Sequence, residues 1–262
     1  MSGLISHPRS SRLVVILLVV LMVGYAALFS VQLILHFHSF GSRALDLGNM
    51  GQAVWNTSQG HWFHQTNQPG ATSRLSLHVE PILIPVSWLY WVYPSPEILF
   101  VFQSIVVALG AIPVFALARR TLESEWLALI FASAYLLMPA LQAATLLDFH
   151  AVTLAPTFLL AAFYFLEVRR PFLFALFAAL AIACKEDMAL LVMMMGLYAL
   201  IINRQVRWGT ITISLTAFWA FLAVFVIPRT FAGTDNIHWN RYDRLGDSAV
   251  DIVLNMLIQP QL

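Results

Sequence analysis

The sequence predicts an all-α, polytopic integral membrane protein with about seven transmembrane helices and an outer loop that carries an interfacial helix. Of its 262 residues, 60% are hydrophobic and only 10% are charged, whereas a soluble domain is about half apolar and about a quarter charged. Long apolar runs recur along the chain, and pairs of arginines separate them in a regular order. Residues 1–262 are therefore expected to form a single membrane domain that is surrounded by membrane lipids.

The first apolar run, Leu13 to Leu35, is long enough to cross a membrane. Its 23 residues measure about 34 Å as a helix, against about 30 Å for a hydrocarbon core. A cleaved signal peptide is the alternative, because Arg9 and Arg12 precede the run. Signal peptides have a shorter apolar region, of about 7–15 residues, that ends in small residues. This run ends in Leu33-Ile34-Leu35-His36, which favours a retained membrane helix.

Six further runs suit membrane helices, although the pair at 171–184 and 188–202 is short for a span. They lie at residues 97–118, 126–146, 152–168, 171–184, 188–202 and 210–227. Arginine pairs fall in every second connection between the seven runs: Arg9 and Arg12, Arg119 and Arg120, Arg169 and Arg170, and Arg204 and Arg207. By the positive-inside rule these connections are cytoplasmic. The N-terminus is then cytoplasmic and the C-terminus, with residues 229–262, is extracytoplasmic.

The first outer loop, residues 36–96, is expected to lie along the membrane rather than to form a separate domain. Asp46 to Gln59 has the pattern of an amphipathic helix in the interface, with two opposed stripes: Leu47, Met50 and Val54 against Asn49, Gln52, Asn56 and Gln59. The apolar stretch from Pro81 to Pro94 is too short to cross. It carries aromatic residues that favour the headgroup level, namely Trp88, Tyr90, Trp91 and Tyr93.

This topology places seven of the eight histidines and most carboxylates on the outer side. Histidines and carboxylates are the usual metal ligands and acid–base groups near neutral pH, so chemistry is expected on that side. The net charge of +1 gives no argument for nucleic-acid binding. The single cysteine, Cys184, excludes an internal disulfide and a CxxC site. Motifs typical of nucleotide hydrolysis, zincin proteases and serine hydrolases do not occur in the sequence.

Asp46 is the first candidate residue, at the start of the interfacial helix. One interpretation is an N-cap, because aspartate at that position accepts hydrogen bonds from free backbone N–H groups. The other is a carboxylate held at the outer membrane surface as a general base or a metal ligand. The sequence leaves both interpretations open.

Two short motifs place an imidazole two residues from a carboxylate: Asp148-Phe149-His150 and His78-Val79-Glu80. Such a pair can converge on one ion or one proton, although the capping of a tight turn is the alternative. Both motifs fall on the same predicted face as Asp46. Arg74, just ahead of the second motif, could bind a phosphate through two parallel hydrogen bonds.

Lys185-Glu186-Asp187 interrupts an apolar stretch that extends from Pro171 to Ile202. The flanking runs are shorter than the roughly 20 residues that a span needs, so the triplet is expected to lie below the outer interface. Charges at that depth are functional candidates by default. A Lys–Glu pair that only stabilises a hairpin is the alternative, whereas a functional lysine would meet a lipid phosphate.

Four motifs in order resemble a family of predicted bacterial membrane proteins catalogued as domain of unknown function 2079. They are Leu45-Asp46-Leu47-Gly48 with Gln52-Ala53-Val54-Trp55-Asn56 and Gly60, His78 ahead of Pro81, the Asp148-Phe149-His150 turn, and Lys185-Glu186-Asp187. The resemblance covers residues 20–230 and implies a bacterial plasma membrane. Relatives of this kind generally continue with more spans and an outer domain, so the chain is expected to be a shortened form, with Asp235, His238, Asp243 and Asp247 near the start of that region.

That family is similar in turn to the GT-C glycosyltransferases, which use polyprenyl-phosphate-linked sugars at the outer face. The similarity implies that Asp46 and Asp148 are catalytic, with Asp46 as the base. It implies a divalent cation, with Asp148, His150 and His78 as its ligands. It also implies that Lys185, Glu186 and Arg74 bind the substrate, with Lys185 and Arg74 at the donor phosphate. A transporter or lipid flippase, and a non-catalytic membrane assembly protein, are the competing hypotheses.

Overall fold

The computed structural model describes residues 11–67, 71–232, 245–246 and 249–258. These residues form helices and connecting turns, and no β-strand occurs among them. In chain order the helices are α1 (Arg12–His38), α2 (Asn49–Ser58), α3 (Leu83–Ser87), α4 (Leu89–Val92), α5 (Glu97–Leu109), α6 (Ala111–Leu122), α7 (Glu125–Leu136), α8 (Pro139–Leu146), α9 (Ala155–Glu167), α10 (Pro171–Cys184), α11 (Met188–Ile201), α12 (Val206–Phe221), α13 (Ile227–Ala232) and α14 (Ala249–Ile258). The prediction of an all-α chain is confirmed.

Within the described residues, three helical stretches are long and apolar enough to cross a membrane: Arg12–His38, Glu97–Leu122 and Val206–Ala232. The helices α7 and α8 make a fourth if they form one span that bends by 44°. The helices α9, α10 and α11 are apolar but shorter; the 14 residues of α10 measure only about 21 Å. Helices occupy all seven predicted runs, but their lengths do not confirm seven crossings.

Proline and left-handed residues set where the helices break. Pro139 begins α8, and because the residue before a proline avoids helical geometry, the chain bends after α7. Glu123, Arg169 and Arg204 have φ angles of 53°, 55° and 52°, the left-handed conformation that ends a helix within one residue. These three positions make the short turns after α6, α9 and α11.

The arginine-bearing connections gather at one end of the helices, which we call the arginine end. The backbone N–H of Ser11 donates to Glu125 at 2.7 Å, so the start of α1 meets the start of α7. Val168 shares a pocket with the arginines that end α6, and Asn203 donates to Glu167 at 3.0 Å. The arginine end thus carries Arg12, Arg119, Arg120, Arg169, Arg170, Arg204 and Arg207.

The opposite end, which we call the loop end, joins residues 39–96 to the turns after α8 and α10. His38 at the close of α1 lies 2.8 Å from Glu97 at the start of α5. The backbone N–H of Ile82 donates to the Ala183 carbonyl at 3.0 Å, which fastens the long loop to α10. Large buried side chains, among them Leu33, Met50, Phe100 and Phe149, fill the space beneath this loop.

Small residues let α11 and α12 approach closely. A Cβ added to Gly209 would lie 2.8 Å from the backbone oxygen of Gly196 and 2.8 Å from the backbone nitrogen of Leu200. Such contacts between backbones are typical of membrane helices that pair through small residues. The close contact fixes the start of α12 against the second half of α11.

The long loop keeps most of its predicted helix. A π-helical turn at Ala44–Gly48 continues directly into α2, and Leu47, Met50 and Val54 are buried as the pattern predicts. The prediction for Asn49 is wrong, since it is buried and its side chain donates to the Leu45 carbonyl at 2.6 Å. The Oδ1 atom of Asn49 is also buried and has no hydrogen-bond partner among the described residues.

The aromatic stretch before α5 divides between surface and interior. Trp88 and Trp91 are exposed and stack on each other with ring centroids 6.3 Å apart. Tyr90 is buried.

Four residues of the predicted outer C-terminal segment lie outside the described residues: Asp235, His238, Asp243 and Asp247.

Candidate functional site at the loop end

Asp46 and His150 face each other across 3.7 Å, measured from Oδ1 to Nε2. That distance is too long for a hydrogen bond. The Asp46 side chain caps no helix in this turn, so the N-cap interpretation fails. The Nδ1 atom of His150 lies 2.7 Å from the Asp148 carbonyl and must donate to it, because a carbonyl only accepts. In a neutral imidazole, Nε2 then presents a lone pair toward the carboxylate.

Two groups hold His150 in this orientation. Besides the carbonyl bond to its ring, its backbone N–H donates to the Gln103 side chain at 3.1 Å. Gln103 is fully buried in α5 and donates in turn to the Thr145 carbonyl at 3.1 Å. A buried amide with both ends bonded is a rigid support, so the imidazole is placed by the helix core rather than by the loop.

Asp148 forms hydrogen bonds with the segment just ahead of Asp46. Its carboxylate accepts from the Ser42 hydroxyl at 2.7 Å and from the Arg43 backbone N–H at 2.9 Å. The side chain is nearly buried, and both of its oxygens have a partner. It fastens the segment after α1 to the turn after α8, and so brings Asp46 up to His150.

A cleft of about 520 Å³ opens along the segment that carries Asp46, although neither Asp46 nor His150 is among its lining residues. One wall is a stripe along the π-helical turn and α2, formed by Gly48, Gly51, Gln52 and Trp55, which the spacing of a helix brings onto one face. The size is within the range of small-molecule sites, about 300–1,000 Å³. Asp46 lies in the same turn as this stripe, so the cleft and the acid–imidazole pair share one element.

Arg43 and Tyr90 supply polar groups to the cleft. Arg43 is exposed, and none of the described residues forms an ion pair with it. The Tyr90 hydroxyl is buried without a hydrogen-bond partner in the described part of the chain, and a Cβ on Gly51 would lie 3.7 Å from it. Burial raises the pKa of Tyr90, so the hydroxyl stays neutral and can donate to a ligand.

Arg74 and Glu80 form a buried ion pair. The Nε and Nη2 atoms of Arg74 donate to the two carboxylate oxygens at 2.7 Å and 3.2 Å, and both residues are buried. The two parallel bonds that a phosphate would need are thus made to Glu80. The predicted phosphate role of Arg74 requires this pair to open.

His78 and Glu186 join the long loop to the turn between α10 and α11. The His78 Nδ1 atom lies 2.9 Å from Oε1 of Glu186, and the Val79 backbone N–H donates to Oε2 at 3.0 Å. Burial alone would raise the pKa of Glu186, but the hydrogen bond and charge of His78 and the backbone donors outweigh it and lower that pKa. The carboxylate is therefore ionised in the folded protein and stabilises this junction.

Glu186→Gln is expected to lower the free energy of unfolding by about 1–3 kcal/mol at neutral pH. Because folding lowers the pKa of Glu186, its contribution is fully present above the pKa of the unfolded state and is lost as pH falls through the folded-state pKa. The measurement is the melting temperature in detergent between pH 3 and pH 8. Asp187→Asn, which alters an exposed carboxylate, is the matched control, and an equal loss in both variants would contradict this role.

Lys185 and Cys184 occupy the same turn in different environments. The Lys185 ammonium lies 3.7 Å from Asp187 and is partly exposed, so it can still reach a further anion. Cys184 is fully buried and its Sγ donates to the Leu180 carbonyl at 3.2 Å.

The described residues offer two protein ligands for a cation rather than a complete set. No group of three or more histidine, cysteine or acidic side chains among them could hold a metal. Asp46 and His150 converge, whereas the oxygens of Asp148 and the Nδ1 atom of His78 are bonded elsewhere. The carboxylate of this pair suits Mg²⁺ or Mn²⁺, which take remaining ligands from water and substrate phosphate, and the imidazole suits Zn²⁺ or Fe²⁺. The predicted metal role of Asp148 and His78 stays a prediction.

Sequence reasoning missed the residues that build the site from outside the motifs: Ser42, Arg43, Tyr90 and Gln103. For Gln103 a signal existed, since an amide in the middle of an apolar run is costly unless it is bonded. For Arg43 a signal also existed: it lies in a predicted outer segment, whereas the positive-inside rule expects arginines in cytoplasmic connections. For the partners of Asp148, more than 100 residues distant, the sequence holds no signal.

Comparison with known proteins places the chain in a family. No curated protein and no solved structure matches it. The model of the family DUF2079, described as a predicted membrane protein, matches residues 36–262, which include the whole of the site described above. The chain therefore belongs to the DUF2079 family of predicted membrane proteins.

Proposed function

We propose that this protein is an integral-membrane glycosyltransferase of the GT-C type, which moves a sugar from a polyprenyl-phosphate donor to an acceptor at the extracytoplasmic face. The observation that carries the proposal is the Asp46–His150 pair on the segment that also forms one wall of a cleft with an exposed arginine and a tyrosine hydroxyl. Two proton acceptors next to a cleft of small-molecule size suit an acid–base reaction on a polar substrate.

In the proposed reaction Asp46 is the general base. Its carboxylate takes the proton of an acceptor hydroxyl as that oxygen forms a bond to the anomeric carbon of the sugar. The bond from the anomeric carbon to the phosphate oxygen breaks, and its electron pair leaves with the polyprenyl phosphate. His150, oriented by the Asp148 carbonyl and by Gln103, does not take this proton; its Nε2 lone pair is left for the cation described below.

Arg43 is the proposed partner of the donor phosphate. It lines the cleft, and its guanidinium can give a phosphate two parallel hydrogen bonds. Trp55 and Tyr90 offer aromatic surface in the same cleft. Lys185 and Glu186 remain proposed substrate-binding residues, and Arg74 is proposed for this role only if its pair with Glu80 opens.

A divalent cation is part of the proposal, with Asp46 and His150 as the residues that would hold it. When bound, such a cation stabilises the charge on the departing phosphate. The neutral-ring tautomer of His150 suits this role, because the lone pair on Nε2 is the one directed at the carboxylate.

The proposed topology has seven crossings, with the arginine end in the cytoplasm and the loop end outside the bacterial plasma membrane. The common placement of the arginines supports it. Because α9 to α11 are short, the turn at Lys185 would lie beneath the outer surface, where charges mark functional sites.

Single-cysteine labelling tests this orientation. The only native thiol, Cys184, is fully buried and should stay unlabelled in the folded protein. We expect Gln59→Cys, exposed at the loop end, to react with an impermeant maleimide in intact cells. Thr121→Cys, exposed at the arginine end, should react only after permeabilisation. The reverse pattern would contradict the proposed orientation.

The function is tested by the lipid-linked sugars of a deletion strain. Wild-type protein should restore a polyprenyl-phosphate sugar pool or a surface glycoconjugate that the deletion alters, and Asp46→Asn should not restore it. Asp187→Asn, at the same end and exposed, is the control and should restore it. Identical profiles in all strains, with equal protein levels, would overturn the proposal and favour a transporter or an assembly protein.

A further inference from the structure

An apolar groove runs between α5–α6 and α9–α10, far from the site at the loop end. It has a volume of about 310 Å³ and is lined by side chains that include Leu109, Ile112, Ala161, Phe165 and Phe177. Phe165 and Phe177 stack with ring centroids 5.3 Å apart and form a flat wall. Leu109 and Ile112 are 40% and 47% exposed, so the groove is open along the surface that the helices present to lipid.

The groove continues into a pocket at the arginine end. That pocket, of about 260 Å³, is lined by Phe115, Ala116, Arg119, Arg120, Tyr164 and Val168. Ala116 and Tyr164 also line the apolar groove, so the two spaces adjoin. Together the adjoining spaces present a largely apolar section and a section that carries two guanidinium groups.

We propose that this composite groove binds one anionic membrane phospholipid, with an acyl chain in the apolar section and the phosphate on Arg119 and Arg120. The complementarity of charge and of polarity commits the site to this occupant, because a free phosphate has nothing to place in the apolar section. Basic pockets between membrane helices on the cytoplasmic side bind anionic lipid headgroups by the same physics. Planar guanidinium groups suit phosphate oxygens better than ammonium groups do.

The two arginines have different roles in this site. Arg119 lies 3.6 Å from the Glu125 carboxylate, which fixes its guanidinium at the pocket. Arg120 is exposed, and among the described residues none forms an ion pair with it. Arg120 is therefore the cation that gains most from a bound phosphate, and its replacement leaves the Arg119–Glu125 pair intact.

Native mass spectrometry of the purified full chain in detergent tests the proposal. The probes are a phosphatidylglycerol and a phosphatidylcholine with the same acyl chains, added in separate titrations. We expect wild-type protein to bind the phosphatidylglycerol about tenfold more tightly, and Arg120→Gln to remove most of this preference. Ala116→Phe, at the junction of the two sections, should weaken the binding of both lipids.

The variant Arg170→Gln is the matched control for Arg120→Gln, because it also removes one exposed charge from the same end without touching the pocket. It should keep the wild-type preference. Melting temperatures show that each variant is folded, and Ile112→Trp, at an exposed groove position, replaces Ala116→Phe if that variant is unstable. Equal losses in Arg120→Gln and the control, or displacement of the lipid by millimolar inorganic phosphate with no effect of the groove variant, would overturn the proposal.

Discussion

Asp46→Asn is expected to lower sugar transfer by about 100- to 10,000-fold, the usual contribution of a positioned acid–base group. An amide has almost the shape of a carboxylate but cannot accept the acceptor proton. Because the Asp46 side chain makes no capping hydrogen bond and is 40% exposed, its replacement should leave the melting temperature nearly unchanged. The measurements are the rate at which purified protein in liposomes consumes a polyprenyl-phosphate sugar and the melting temperature of the same sample.

The matched control for Asp46→Asn is Asp187→Asn, which also removes one partly exposed carboxylate at the loop end. It should keep both the rate and the melting temperature. His150→Gln should reduce the rate by less than Asp46→Asn, because His150 would help to hold the cation rather than take the proton. A rate for Asp46→Asn within a factor of two of wild type would remove Asp46 from the reaction.

Asp148→Asn is expected to act through stability. The carboxylate accepts from Ser42 and from the Arg43 backbone, and an amide would turn a donor toward one of them. The loss of one charged hydrogen bond in a nearly buried site costs about 2–3 kcal/mol, or about 4–10 °C in melting temperature for a chain of this size. Since this carboxylate holds the segment that carries Asp46, the transfer rate should fall as well.

The melting temperature, rather than the activity, therefore distinguishes the roles of the two aspartates. Asp148→Asn should lower both quantities, and Asp46→Asn should lower the rate alone. A second variant, Ser42→Ala, removes one partner of Asp148 without changing charge and should give a smaller loss of stability in the same direction. Full stability in Asp148→Asn would show that Asp148 is available to bind a ligand directly.

Hydrophobic patterning predicted where the helices lie but not how many of them cross. The run before Lys185 became α10 with the predicted bounds, 171–184, because a proline starts it and a charged triplet ends it. The run at 126–146 broke in two at Pro139. Whether a short or bent helix crosses depends on the lipid around it and on neighbouring helices, and the sequence of one helix does not encode either.

The sequence predicted which residues belong to the candidate site, but it did not predict which of them contact each other. Asp46 and His150 belong to separate motifs, yet they come together because Asp148, two residues before His150, bonds to the segment just ahead of Asp46. Arg74 carried the right chemistry for a phosphate, but Glu80, six residues later, neutralises it first. Choices of partner among several opposite charges depend on the loop conformation, which patterning does not specify.

The glycines of the cleft illustrate the same limit. Gly48 and Gly51 fall in the motif that runs from Leu45 to Gly60, and their spacing places them on one face of a helix. The pattern of apolar residues identified the opposite, buried face. The cleft itself appears only when Tyr90, from another helix, is placed across from Gly51.

The most direct test of a catalytic Asp46–His150 pair is the release of polyprenyl phosphate in liposomes that contain the purified full chain, a polyprenyl-phosphate sugar, Mg²⁺ and a bacterial envelope extract as the source of the acceptor. Wild-type protein should release polyprenyl phosphate in proportion to the sugar transferred, and Asp46→Asn, equally folded, should release almost none. Equal release by the two proteins would contradict the pair as the centre of the reaction. A wild-type protein that carries the intact lipid-linked sugar across the bilayer without releasing polyprenyl phosphate would instead identify a flippase.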